Sequence, residues 1–189
     1  VSKRTKILLI TLLVLSVVFG GFQYQKNQKY ETYLNSHLGE SLNSLSWNVY
    51  ILHEKTNQSL NADKIPKASL KQIEEVLLII QEESNTIERL AKILYPKRAN
   101  DLAGVTYNTT KFMADRINLL FEEIDSNGIL YLEEHTYNIL KLIRDTGKSW
   151  DIELGVFNSS TKDVNMTDWV DTILRLQQHS ERYQKEMNK

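Results

Sequence analysis

The sequence predicts an all-α protein: a single N-terminal transmembrane helix followed by an antiparallel helical bundle of about four to five long helices. Three observations predict it. Lys3, Arg4 and Lys6 precede an uncharged apolar run from Ile7 to Phe22. Beyond that run, apolar residues recur at alternating steps of three and four over most of the chain, the period of one helix face. The breaks between these stripes are short, which is how consecutive helices become antiparallel neighbours.

The first element is the N-terminal segment, residues 1–24. As a helix, the run Ile7–Phe22 would span about 24 Å at about 1.5 Å per residue, against a hydrocarbon core of about 30 Å. Extension to Thr5 and Tyr24 brings it near the usual length and sets Phe22 and Tyr24 as aromatic anchors at the outer interface. The competing reading is a cleaved signal peptide, since a basic start and an apolar centre also define one. Its best cleavage point is Val18-Phe19-Gly20, and no Ala-x-Ala site is present. Lys26 and Lys29 after the run are diluted by Glu31, so the charge bias puts the N-terminus in the cytoplasm and residues 25–189 outside as the bundle domain.

The whole chain carries 23 Lys and Arg against 24 Asp and Glu, and no cysteine. Without Lys3, Arg4 and Lys6 the exported part is net negative, which excludes the basic surface that nucleic acid requires. The missing cysteines exclude disulfides and thiolate metal sites, a pattern that fits a bacterial extracytoplasmic protein.

The first bundle helix follows from Tyr30, Leu34, Leu38, Leu42, Leu45, Val49 and Leu52, with no proline between the membrane segment and Asn57, so the membrane helix is expected to run on into it. The second has the clearest seam: Leu70, Ile73, Leu77, Ile80, Ser84, Ile87, Ala91 and Leu94. Pro66 suits its first turn and Pro96 ends it, because proline lacks the amide hydrogen and restricts the residue before it. The third, to about Ser126, uses Leu102, Thr106, Thr110, Met113, Ile117, Leu120 and Ile124, a more polar face. Asp125-Ser126-Asn127-Gly128 then breaks the chain, as an Asn-Gly pair tolerating positive φ does. The fourth runs from about Leu130 to Thr146 on Leu132, Thr136, Ile139, Leu140 and Ile143, with Gly147 as its C-terminal cap. The last starts at Thr167 as N-cap and continues through Trp169, Ile173, Leu176, Ser180, Tyr183 and Met187.

Between the last two lies Gly147–Met166, where Trp150, Ile152, Leu154 and Val156 alternate with Asp151, Glu153 and Gly155 and predict an extended segment. A long connection of this kind is either a strap that buries Trp150 over the bundle's end or a functional segment, a ligand-covering lid or a docking surface. Trp150, Ile152, Leu154 and Phe157 are its candidate partner-binding residues.

Chemistry is sparse. Thr146-Gly147-Lys148-Ser149 lacks the earlier glycine and the preceding strand of a phosphate loop, having Leu142 at the glycine's place. His37, His53, His135 and His179 form no His-x-x-x-His pair and no Glu-x-x-His motif. Glu74-Glu75, Glu82-Glu83 and Glu133-Glu134 are adjacent on helices and read as solvated faces. One metal pattern survives: with Gly128 at the sixth position, Glu123, Asp125, Asn127 and Glu134 take the first, third, fifth and twelfth positions of an EF-hand loop. Against it stand Glu at the first position, apolar Leu130 and Tyr131 at the eighth and ninth, and the lack of a second loop to pair with. A plain turn explains the same residues.

These readings converge on a membrane-anchored extracytoplasmic helical protein that binds or scaffolds another protein, is not an enzyme and needs no cofactor. The alternatives are a ligand-sensing bundle working with a separate membrane partner and, behind it, a calcium-binding protein with one EF-hand-like loop.

Overall fold

The computed structural model describes residues 3–157 and 167–187, with side chains described over 11–155 and 167–187. Among these residues it contains five α-helices and one small sheet: α1 (Lys3–Leu60), β1 (Lys64–Pro66), α2 (Lys67–Leu94), α3 (Val105–Phe121), β2 (Ile129–Tyr131), α4 (Glu134–Phe157) and α5 (Asp168–Met187). The chain divides into two compact units, Val1–His37 and Leu38–Lys189.

The first unit is helix alone. Leu12, Leu13, Val14 and Leu15, successive positions that point to all sides of a helix, are 53–67 % exposed, and Val17, Val18, Phe19 and Phe22 are exposed too. Among the described residues no helix is long and apolar enough to cross a membrane. The predicted span is therefore not carried by the described part. Ile7–Ile10 have side chains outside it, and after Phe22 the helix turns polar through Gln23, Gln25, Lys26, Asn27 and Gln28.

The second unit is a helical bundle in which α2 packs on α3, α4 on α5, and α3 on α5. From Leu38 onward α1 shows the expected stripe: Leu38, Leu42, Leu45, Val49 and Leu52 are at most 1 % exposed. The α2 seam is equally dry, with Leu70, Ile73, Leu77, Ile80, Ile87 and Ala91 fully buried. Each such Leu or Ile contributes about 1.5–3 kcal/mol relative to an exposed position, so these stripes hold the bundle together.

The described residues are helical as expected, and three details differ. One small sheet is added, because β1 and β2 pair antiparallel with Ile65 opposite Leu130, both buried. This pair ties the α1–α2 turn to the α3–α4 turn, so the Asp125–Gly128 loop does have a second loop beside it. Pro66 ends β1 and precedes the helix, at φ −65° and ψ 144°, and the Lys67 amide donates to the Gly128 carbonyl at 2.9 Å.

The second correction concerns α4, which continues to Phe157 instead of stopping at Thr146, so the predicted extended segment is helical as far as Phe157. Ile143, Trp150 and Leu154 extend its seam at helical spacing and are all buried. Gly147 is no cap: it faces α1, where an added Cβ would stand 3.5 Å from Leu52 Cδ2. Residues 158–166 of the predicted connection lie outside the described residues. The third correction is that α3 is shorter than expected at both ends. Gly104 precedes it with φ 69°, a conformation that glycine adopts without steric cost.

Candidate functional site

The predicted site residues fall in two places that serve different ends. In the Asp125 turn, Oδ1 accepts the amides of Asn127 and Ile129, each at 2.9 Å, and Oδ2 accepts Asn127 Nδ2 at 3.4 Å. Gly128 takes φ 76° to close the loop. The bonds from Ile129 and Asn127 hold the Asp125 carboxyl below the usual carboxylate range. Both its oxygens are thus engaged within the turn, while Glu123 and Glu134 are exposed. Among the described residues no group of three or more His, Asp or Glu side chains is placed to hold a metal.

The α4 candidates separate by face. Trp150 is fully buried and its Nε1 donates to the Leu176 carbonyl at 3.2 Å, joining α4 to α5. Leu154 is buried beside it in the same seam. Ile152 points outward at 58 % exposure, and the side chain of Phe157 lies outside the described residues. The helix therefore commits Trp150 and Leu154 to the core and leaves Ile152 on its exposed face.

That face borders a feature which sequence reasoning missed. Asn43, Ser46, Trp47 and Tyr50 of α1 and Asp151 of α4 line an open recess of about 480 Å³. Trp47 and Tyr50 sit three residues apart on one face, beside and not within the buried stripe of α1. Their rings are 5.7 Å apart and inclined by 34°. The only sequence signal was a pair of aromatics set off the seam, because nothing local joins Trp47 to a residue a hundred positions on.

Three polar arrangements were missed as well. Glu88, on the flank of the α2 seam, is 4 % exposed. Burial raises its carboxyl above the usual range, against the opposing pull of Lys92 and of the Gly104 amide that donates to it at the start of α3. A ladder of neutral groups joins α3 to α5. Ser180 Oγ donates to Thr106 Oγ1 at 3.2 Å, Gln184 Nε2 to Thr109 Oγ1 at 2.9 Å, and the Ala103 amide to Gln177 Oε1 at 3.0 Å. On the α4–α5 flank, Glu153 accepts Arg175 Nε at 2.6 Å and stands 3.4 Å from His179 Nε2. Burial would raise the Glu153 carboxyl, but the bonds from Arg175 and His179 outweigh it and hold the group low.

None of these sets puts a nucleophile, a base and an orienting group within reach of one another. The hydroxyls of Thr106, Thr109, Thr110 and Ser180 bond backbone carbonyls or one another, and the Glu153 ion pairs bridge two helices. Of the sets described, the recess between α1 and α4 is the one that joins aromatic rings to a carboxylate. Comparison with known protein families, with characterised proteins and with solved structures finds no match to this chain.

Proposed function

We propose that the chain is a membrane-anchored, extracytoplasmic binding or scaffold module for another protein, acting by contact and not by catalysis. The observation that carries this reading is the apolar collar of α1. From Leu12 to Phe22 its apolar side chains are exposed on every side, and a helix apolar all round is a helix that something covers. A bilayer fits best: the collar continues the apolar residues Ile7–Ile10, Lys3, Arg4 and Lys6 precede them, and Tyr24 follows at the place of an interfacial anchor. The partner-binding part of the reading draws support from the second unit, whose apolar seams are closed on themselves while Trp47, Tyr50 and Ile152 face solvent.

The test is fractionation followed by protease treatment of intact protoplasts. The protein is expected in the membrane fraction, with residues 38–189 digested from outside. Full protection would reverse the orientation, and a soluble form starting near Gly21 would establish cleavage in place of anchoring.

A further inference from the structure

The recess between α1 and α4 carries chemistry that the apolar seams do not. An exposed aromatic residue by itself is ordinary, since much of any protein surface is apolar. Here two rings, Trp47 at 63 % and Tyr50 at 42 % exposure, line one concave volume of about 480 Å³ together with a carboxylate supplied by another helix. That volume lies within the range of ligand-sized pockets.

The carboxylate is available. Among the described residues Asp151 has no hydrogen bond and no ion pair, unlike Asp145, Asp171 and Glu153, each of which is held by an arginine. The faces of indole and phenol rings carry negative potential and attract cations. Two independent features thus select the same sign of charge. An anion is repelled by Asp151, and a neutral apolar group would strip water from that carboxylate without replacing it.

Among cations the recess favours one shape. A guanidinium is planar and weakly hydrated, stacks on an aromatic face, and offers parallel N–H groups to a carboxylate. An ammonium is more strongly hydrated and binds as a point charge. The amide oxygen of Asn43 adds an acceptor at the rim.

We propose that this recess reads an arginine side chain presented by the partner protein. The guanidinium stacks against Trp47 and Tyr50 and pairs with Asp151. The assignment rests on the reading of the chain as a binding module and names the chemistry it recognises.

The test uses the full-length protein in detergent micelles and three capped tripeptides that differ only at the centre: arginine, lysine, and citrulline, the uncharged counterpart of arginine. Trp150 and Trp169 are buried, so the indole resonance of Trp47 reports the recess alone. The arginine peptide is expected to shift that resonance saturably, with the citrulline peptide about tenfold weaker or more. Asp151→Asn should weaken the arginine peptide by about tenfold while leaving the melting temperature unchanged, since Asp151 holds no other group. Equal binding of arginine and citrulline peptides, or an Asp151→Asn protein that binds as before, overturns the proposal. Lysine binding as tight as arginine overturns the guanidinium assignment. Failure to fractionate with membranes, with arginine binding intact, would sink the tether and not the recess; the reverse result would sink the recess alone.

Discussion

The α2 seam and the α3–α5 interface are both buried, and they are held by different forces. Along α2 the buried residues are mostly Leu, Ile, Val and Ala, with Ile73, Leu77, Ile80 and Ile87 fully enclosed and Ser84 and Glu88 the polar exceptions. Between α3 and α5 the buried positions include Thr106, Thr109, Thr110, Gln177 and Ser180, which bond one another and nearby carbonyls. Apolar packing is strong and non-directional, whereas a satisfied hydrogen bond adds little net energy but penalises every arrangement that leaves it unmade. The first seam supplies stability, and the second sets the position of α5.

The comparison can be broken from the apolar side with the largest effect. Ile80→Asp puts an unpaired charge in the α2 seam and is expected to cost on the order of 5 kcal/mol in chemical denaturation. An unchanged midpoint would mean that α2 does not pack on this face. Trp150→Ala removes a fully buried ring and its bond to Leu176, and should cost about 3–5 kcal/mol. Thr106→Val, on the polar side, keeps shape and leaves Ser180 to its second acceptor, the Leu176 carbonyl, so a loss of only about 1 kcal/mol is expected. A loss as large as that of Ile80→Asp would erase the distinction between the seams.

The smallest effect sharpens the boundary between them, where Glu88 flanks the α2 seam. Its folded carboxyl titrates above the usual range, so as pH rises past the ordinary glutamate value the unfolded chain releases its proton first. Stability should therefore fall as pH increases from that value toward the raised one, and Glu88→Gln should remove this fall. Asp171, held low by its bond to Arg98, acts with the opposite sign and loses its contribution as pH drops below the ordinary aspartate range. Melting temperatures of wild type and Glu88→Gln across the acid and neutral range separate the two. A variant whose pH profile parallels wild type would remove Glu88 from the account.

What could be read in advance follows the same division. The α1 and α2 stripes were legible because Leu and Ile at steps of three and four leave one solution. The end of α4 was misread because Trp150, Ile152, Leu154 and Val156 satisfy a period of two as well as the helical spacing of Ile143, Trp150 and Leu154. Gly147 then looked like a stop. Glu88 sits one position beyond Ile87 and resembles a solvated residue until α3 is brought against it. The β1–β2 pair was invisible because three-residue strands carry no periodicity. The recess of Trp47, Tyr50 and Asp151 needs two helices far apart in sequence, and no local pattern announces it.

The pairing of Ile65 with Leu130 closes a circuit around α2 and α3. Closing a long loop of flexible chain costs conformational entropy that grows with the logarithm of its length. Here α2 and α3 pack on each other inside the circuit, so once that helical hairpin has formed its two ends are already neighbours and little entropy remains to be lost. The strand pair is then a clasp that closes on a finished hairpin. Its amides should exchange with solvent before those of either helix.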